Sequence, residues 1–387
     1  MLKKTLCAVL ALMTALSLCA CASSFEDEYY YTEDYSEDSA GFDLNGTMIR
    51  NYASLKGAVT KLVNSYGEHA RLIFSNYTGN LNEDLAAVCY EVQSTTPLGA
   101  FSVETLRYET SRFVTYYAAD IYVTYSRSAE EVSSVRSVTG EEALRHIIEG
   151  AILNCNDTMV FKYYSSKADV AYIRALIDSV CEQSPLLVVS QPRVEVLSYP
   201  ETGMNRIYEV FFTYDRATSQ ISAMRTVLRN EAIDIASGFT QEMSWARAVA
   251  SAEYLSQNCA VDESETENTA YDALVEGSAN SEGIAKAYAA LCALMDVECV
   301  IVNGSLGMGS ANPHSWNIVK IDDEYYHFDV SRAMEEGIAQ TVLLNDEDIW
   351  GEYLWDSERY PTCNGLIRYA DLYTVAEEPE TDDDLHE

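Results

Sequence analysis

The sequence predicts a mixed α+β protein in which two duplicated modules precede a different C-terminal domain. Apolar residues at helical spacing alternate with short β-rich runs along the chain, which is typical of α+β folds. The run from Ile121 to Arg127 is echoed from Val210 to Arg216, and the pattern changes at about Ile233. Hydrophobic residues make up 48% of the 387 residues, which excludes a wholly disordered chain.

Residues 1–20 are predicted to be a secretory signal peptide. Two lysines give a basic start, and the apolar run at residues 6–18 is too short to span a bilayer comfortably. The run ends in Leu18-Cys19-Ala20-Cys21, which resembles a bacterial lipoprotein cleavage site. We therefore expect lipidation of Cys21 and anchoring to the outer face of the membrane in the cell envelope. The alternative is a plain signal peptide with two incidental cysteines.

Acidic segments flank the part of the chain that is predicted to fold. Residues 21–45 are rich in carboxylates and contain no Lys or Arg, so we expect an extended tether there. Residues 376–387 form a second acidic tail. The whole chain has 25 Lys and Arg against 61 Asp and Glu, a formal net charge of −36. Such a surface repels phosphate backbones, which argues against nucleic acid as a partner.

Residues 46–138 and 139–228 are predicted to be two related α+β modules. In each, a helix leads into an apolar strand, a second helix follows, and two alternating β-rich segments close the module. The apolar strand is predicted at 71–75 in the first module and at 159–163 in the second. We interpret the modules as a duplicated spacer or binding domain, and the alternative is a tyrosine-lined ligand face.

Metal and cofactor sites have no support in the sequence. The chain contains only 5 His, and the cysteines after Cys21 form no Cys-x-x-Cys pair, so a zinc site is not predicted. These cysteines are odd in number and cannot all pair internally, although one or two disulfides are compatible with export. We expect no metal and no cofactor.

The C-terminal domain, residues 233–375, contains residue types that suit nucleophilic catalysis by a triad. A helix is predicted from about Glu282 to Met295. Three strands are predicted after it, at 299–303, 315–321 and 325–330. Ser281 precedes the helix, His314 opens the second strand and Asp329 closes the third. In such a triad the helix end supplies N–H donors, the His acts as base, and the Asp fixes the tautomer of the imidazole.

Four motifs of this domain resemble those of the transglutaminase-like family, a branch of the papain-type cysteine fold. They are Gly277-x-Ala279-x-Ser281-x-Gly283-x-Ala285, His314-Ser315-Trp316-Asn317, Tyr325-Tyr326-His327-Phe328-Asp329 and Tyr360-Pro361-Thr362-Cys363. Their order and spacing match the family over roughly Trp245 to Gly365, about a third of the chain. The resemblance implies a papain/transglutaminase-like fold and an ancestral acyl-transfer site that acts on amides or peptides.

Ser281 stands where the family places its nucleophilic Cys. A thiolate is stabilised at a helix N-terminus beside His, whereas a Ser hydroxyl is far less acidic and must lose its proton during attack. Three interpretations of Ser281 are open. It is a helix N-cap in a pseudoenzyme, the nucleophile of a triad with His314 and Asp329, or a substitution introduced by an experimenter or by sequencing.

The function expected from the sequence is that of a lipid-anchored cell-surface protein with a transglutaminase-like domain. We expect this domain to be catalytically weak or inactive and to bind a peptide, protein or cell-wall ligand. Trp316, Tyr271 and His327 are candidate ligand-binding residues. One alternative is an active acyl transferase or amide hydrolase that uses the triad. The other is a structural or adhesive surface protein in which the duplicated modules do the work.

Overall fold

Helices and strands alternate along the chain in the computed structural model, which describes residues 46–262, 268–307 and 312–374. The helices are α1 (Tyr52–Asn64), α2 (Leu81–Thr95), α3 (Pro97–Ser102), α4 (Ala129–Ser133), α5 (Glu141–Leu153), α6 (Val170–Gln183), α7 (Thr218–Ser237), α8 (Ser244–Asn258), α9 (Ser281–Leu294), α10 (Val330–Glu336) and α11 (Asp371–Thr374). The strands are β1 (Thr47–Ile49), β2 (His69–Phe74), β3 (Val103–Arg112), β4 (Tyr117–Tyr125), β5 (Arg136–Val138), β6 (Thr158–Tyr164), β7 (Arg193–Tyr199), β8 (Asn205–Thr213), β9 (Ala260–Val261), β10 (Ser278–Ala279), β11 (Cys299–Leu306), β12 (Asn312–Ile321), β13 (Glu324–Phe328), β14 (Val342–Leu344) and β15 (Tyr353–Leu354). This mixture confirms the predicted α+β class.

The described chain divides into two compact units. The first takes the described residues up to His146 together with Val160–Asp169 and Leu197–Glu209, and the second takes the rest. Each unit has a hydrophobic core of its own. The candidate site residues of the sequence analysis that the structure describes all belong to the second unit.

The core of the first unit includes α1, α2 and α3 and the sheet with strand order β1-β2-β4-β3. In this sheet β1 is parallel to β2, and β4 is antiparallel to both β2 and β3. Leu55 and Val59, four residues apart on α1, are buried with Leu85 of α2 and with Leu72 and Ile121 of the sheet. The helical period therefore determines which face of α1 enters the core.

A second four-stranded sheet has the order β5-β6-β8-β7, the same arrangement of first, second, fourth and third strand as in the first sheet. Its edge strand β5 runs parallel to β6, as β1 does to β2. The apolar strands predicted at 71–75 and 159–163 correspond to β2 and β6. The module boundaries at 46–138 and 139–228 stay predictions.

The C-terminal part of the second unit is organised around α9, which packs on the antiparallel sheet β14-β13-β12-β11-β15. Ile284 and Tyr288, one helical turn apart on α9, are buried. The ring of Tyr288 stacks on Phe328 of β13 with the centroids 5.8 Å apart. Asn317 of β12 donates a hydrogen bond over 3.0 Å to the carbonyl of Ala285. These contacts fix the start of α9 against β12.

Gly304 allows a close approach within this sheet. It pairs with His314 across β11 and β12. A Cβ at this position would lie 2.7 Å from the indole of Trp316 and still nearer to the carbonyl oxygen of Leu354, closer than real Cβ atoms come to other heavy atoms. A residue without a side chain therefore lets β11 lie against the indole of β12 and against the Leu354 carbonyl of β15.

The third predicted strand, 325–330, is wrong at its C-terminal end. β13 ends at Phe328, and Val330 begins α10. The cause is Asp329, which caps α10 by accepting a hydrogen bond from the backbone N–H of Arg332 over 3.1 Å. Asp is a favoured N-cap, and the capped chain turns away from the sheet.

Several sequence predictions fall outside the described residues. These are the signal peptide at 1–20, Cys21, the tether at 21–45 and the tail at 376–387. None of the described helices combines the length and apolar character needed to cross a membrane. The seven cysteines of the described residues are all free thiols, and five of them are buried.

Candidate active site

A cavity of about 480 Å³ lies where the N-terminus of α9 meets β12. Ser281 and His314 both line it, together with Asp262 after β9 and with polar and charged side chains of α9 and α10. The first turn of a helix leaves backbone N–H groups without intrahelical partners and carries a partial positive charge. The cavity therefore brings a hydroxyl, an imidazole and backbone N–H donors to one place.

Ser281 is the first residue of α9, but it is not the residue that caps the helix. Asn280 is the N-cap, and its side-chain oxygen accepts a hydrogen bond from Gly283 N over 3.0 Å. The Ser281 Oγ instead accepts a hydrogen bond from the backbone N–H of Ser315 over 3.2 Å. The N-cap interpretation of Ser281 is therefore wrong, because Asn caps helices as well as Ser does and holds the position one residue earlier.

His314 and Asp329 form a short, buried pair. His314 Nε2 lies 2.6 Å from Asp329 Oδ2, and their side chains are 10% and 2% exposed. The other carboxylate oxygen, Oδ1, accepts from Ser331 Oγ over 2.7 Å and from Arg332 N. Burial raises the pKa of Asp329, but the hydrogen bond and charge of His314, with the bonds from Arg332 and Ser331, bring the pKa below its usual value. Asp329 is thus an ionised acceptor at neutral pH.

Tyr353 is a further partner of this pair that the sequence analysis did not identify. Its hydroxyl donates to Asp329 Oδ2 over 2.8 Å and accepts from Arg332 Nη1 over 2.9 Å. Burial, reinforced by the charge of Asp329, raises the pKa of Tyr353, so the hydroxyl keeps its proton. Tyr353 lies in the two-residue strand β15, where no motif or periodicity marks it.

The geometry assigns separate roles to the two imidazole nitrogens. Asp329 engages Nε2, so Nδ1 is the nitrogen that can act as a base toward the cavity. Within the described residues, no hydrogen bond joins Ser281 Oγ to His314. Active sites without ligand often hold such pairs loosely, and the two side chains line the same cavity. The arrangement can hold an acyl group between a hydroxyl and a base.

The sequence of residues 232–330 matches the family model of the transglutaminase-like superfamily. This segment is a transglutaminase-like domain. The match confirms the family resemblance and the predicted fold class. It includes Ser281, His314 and Asp329, whereas the predicted domain boundary of 233–375 stays a prediction.

Three solved structures are similar to the chain at low identity. The crystal structure of a TGase is 13% identical with a TM-score of 0.24, and the match covers 50% of this chain and 58% of that chain. A Cytophaga hutchinsonii protein proposed to be a cysteine protease is 11% identical, with a TM-score of 0.25 and coverage of 43% and 72%. A Parabacteroides distasonis protein proposed to be a protease is 6% identical, with a TM-score of 0.22 and coverage of 68% and 44%. No curated protein matches this chain. The family assignment therefore rests on residues 232–330.

Trp316 and His327 lie behind the transglutaminase-like site, each with 1% of its surface exposed. The Trp316 indole runs nearly parallel to the His314 ring, with centroids 6.1 Å apart and an angle of 25°. Its Nε1 donates to His327 Nδ1 over 3.0 Å, and His327 Nε2 lies 2.9 Å from Asp346 Oδ1. Because an indole nitrogen only donates, His327 carries its proton on Nε2 and donates it to Asp346. The structure places Trp316 and His327 as a buried support for the His314 ring.

Tyr271 lies at a neighbouring cavity of about 860 Å³, between α7 and residues 262 and 271–278. Arg216 and Glu276 are among the other residues that line this cavity. Asp262 lines both this cavity and the one that contains Ser281. The structure therefore brings Ser281 and His314 to one cavity and places Tyr271 at the next.

A third group of side chains has the residue types of a metal site. One ligand atom each from His327, Asp346 and Cys363 lie within 4.8 Å of one another. Both nitrogens of His327 are engaged in the hydrogen bonds described above. Burial, with the charge of Asp346, raises the pKa of Cys363, so its thiol stays protonated. The group fits a buried hydrogen-bond network better than a metal centre.

Proposed function

We propose that the transglutaminase-like domain binds an amide- or peptide-like ligand and turns it over weakly or not at all. The observation that carries this proposal is that residue 281 brings a hydroxyl, and not a thiol, to the cavity that His314 lines. Ser281 Oγ accepts a hydrogen bond from Ser315 N, and within the described residues it has none with His314. A Ser hydroxyl needs direct contact with a base during attack, unlike a thiolate that is ionised before the ligand arrives.

The cavity suits a neutral or cationic amide better than an anion. A ligand carbonyl can accept from the backbone N–H groups at the start of α9, where the helix dipole is positive. Carboxylates of Asp262, Glu282 and Glu335 line the same cavity and oppose an anionic ligand. A peptide or a cell-wall peptide fits these conditions.

A serine-dependent acyl transferase or amide hydrolase is the second candidate. It is favoured by Asn280, which caps α9 and so leaves the Ser281 hydroxyl in the cavity. In that reaction Ser281 Oγ attacks the carbonyl carbon while His314 Nδ1 takes its proton. The C–N bond then breaks, His314 returns the proton to the leaving amine, and water or an acceptor amine releases the acyl group from the serine ester.

The proposed location is the outer face of a membrane, through a lipid on Cys21. It is supported by the apolar run followed by Leu18-Cys19-Ala20-Cys21. A Cys21→Ser variant should lose the incorporation of labelled fatty acid and move from the membrane to the soluble fraction. Retention of both in the variant would contradict the anchor.

Electrophilic acyl probes test the catalytic proposal on a soluble fragment that starts at Asp43. The wild type, a Ser281→Cys variant and a His314→Ala variant are treated, and adducts are mapped by mass spectrometry. We expect no adduct on Ser281 and strong labelling of the introduced Cys. An adduct on wild-type Ser281 that disappears in His314→Ala would overturn the weak-turnover proposal in favour of the serine enzyme.

A further inference from the structure

A chain of hydrogen bonds leads from Ser281 to a helix outside the matched family segment. Ser315, which donates its N–H to Ser281 Oγ, also donates its hydroxyl to Asn303 Oδ1 over 2.7 Å. Asn303 in turn donates from Nδ2 to Glu182 Oε1. Glu182 lies in α6, 121 residues before Asn303 and well upstream of residue 232. All four residues belong to the second compact unit.

The donors and acceptors in this chain have one consistent direction. Asn303 pairs with Ser315 across β11 and β12, so the two side chains meet on one face of the sheet. An Asn side chain presents its oxygen on one side and its NH₂ on the other. Because Glu182 accepts from the NH₂, the oxygen of Asn303 is turned toward the Ser315 hydroxyl. A carboxylate at position 182 therefore determines the orientation of the amide.

Charged groups from α9 and from the segment after β15 act on Glu182. Burial raises the pKa of Glu182, whereas the bond from Asn303 and the charges of Arg359 and Lys286 oppose that rise. Lys286, one turn after Glu282 on α9, is buried and donates to Glu282 Oε1 over 2.6 Å. Glu282 lines the cavity and adds a negative charge near Glu182. Glu182 thus lies among charged groups, one of which, Glu282, lines the cavity.

We propose that Glu182 is a positioning residue for Ser281. It orients the amide of Asn303, which holds Ser315, and Ser315 directs its N–H at the side-chain atom of residue 281. The role of that atom in the ligand site rests on the proposed function, while the hydrogen-bond chain itself does not. The predicted second module, residues 139–228, would then complete the transglutaminase-like site rather than only precede it.

The experiment uses the full chain with Ser281→Cys, because the alkylation rate of the thiol against pH reports the hydrogen bonds it receives. Loss of one such bond to the thiolate should lower the rate at pH 6.5 by about 3- to 10-fold and shift the profile to higher pH. We expect this from Glu182→Leu and also from Asn303→Ala. Glu182→Gln keeps an acceptor oxygen for Asn303 and should restore the rate to within about twofold of the parent.

A matched control separates positioning from damage to the fold. Gln183→Leu changes the next residue of α6, whose side chain is exposed, and should leave the pH profile unchanged. Unchanged profiles in both Glu182→Leu and Asn303→Ala, with a shifted profile in His314→Ala, would overturn the positioning role. The proposed function fails on a different result, an acyl adduct on Ser281 of the wild type. The two failures are therefore distinguishable.

Discussion

The hydroxyl of Tyr353 donates a hydrogen bond to Asp329 Oδ2 over 2.8 Å, on the same oxygen that His314 Nε2 approaches to 2.6 Å. Two donors on one carboxylate oxygen hold the plane of the carboxylate as well as its charge. The ring of His314 is therefore oriented by a side chain 24 residues beyond Asp329. His314, Asp329 and Tyr353 therefore form one hydrogen-bonded group.

Replacing Tyr353 by Phe removes one of these donors. Asp329 has a folded pKa below its usual value, so its stabilisation is present above an unfolded pKa of about 3.9 and is lost as the pH falls through the folded pKa. In Tyr353→Phe we expect the free energy of unfolding to be lower by about 1.5–3 kcal/mol at pH 7. We also expect that free energy to decrease less than in the wild type as the pH falls. Urea unfolding between pH 2 and 7 measures both.

Tyr325→Phe is the matched control for that experiment. Its hydroxyl donates to the exposed Glu298 over 2.8 Å and has no contact with the triad. It should change the free energy of unfolding by less than about 0.5 kcal/mol. If Tyr353→Phe behaved like Tyr325→Phe at every pH, the hydroxyl would have no part in holding Asp329.

Replacing Asp329 by Asn in the Ser281→Cys background should lower the reactivity of the thiol. The amide can donate to Nε2, which favours the tautomer with its proton on Nδ1 and removes the base. A thiol at an ordinary pKa of about 8.5 is only about 1% thiolate at pH 6.5, so alkylation there should slow by up to about 100-fold. Asp346→Asn alters the other His–Asp pair and should change the rate by less than about threefold. Equal slowing by both variants would argue against a specific role of Asp329.

Replacing Asn280 and Ser281 by Ala, one at a time, tests which of the two residues caps α9. Asn280→Ala should reduce the free energy of unfolding by about 1 kcal/mol, because Gly283 N loses its partner. Ser281→Ala should cost less than about half as much, since its hydroxyl does not bond the helix backbone. The four Trp residues, at 245, 316, 350 and 355, all lie in the C-terminal part, so tryptophan fluorescence follows this part during urea unfolding. A larger cost at Ser281 would restore the rejected N-cap interpretation.

The buried His327 should make the domain less stable in mild acid. Burial lowers its pKa, and Asp346 opposes that change. Because the folded pKa lies below the unfolded value of about 6.5, stability is lost as the pH falls from about 6.5 to the folded pKa, by at most about 1.4 kcal/mol per pH unit. His327→Gln should remove this slope in urea titrations between pH 5 and 8. Asp346→Asn should extend the slope to lower pH, and an unchanged slope in both variants would exclude His327 as its source.

The sequence motifs located Ser281, His314 and Asp329 because a helix start and the ends of two neighbouring strands are brought close together when the helix packs on the sheet. The capping register was missed, since Asn280 and Ser281 are adjacent and both residue types cap helices well. Tyr353 was missed because a two-residue strand has no periodicity to read. Glu182 was missed for another reason. Its contact with Asn303 joins segments 121 residues apart, whereas hydrophobic periodicity and short motifs report only on residues that are close along the chain.

Gly304 is enclosed by two neighbours, the carbonyl oxygen of Leu354 and the indole of Trp316. The indole of Trp316 fills the space where a side chain at position 304 would stand, and its nitrogen is bonded to His327. A larger residue at 304 would push the indole out and break that bond. We therefore expect a one-way dependence as related proteins diverge: lineages that keep the tryptophan should keep the glycine, and those that lose the tryptophan should still keep the glycine, because the carbonyl oxygen of Leu354 also excludes a side chain.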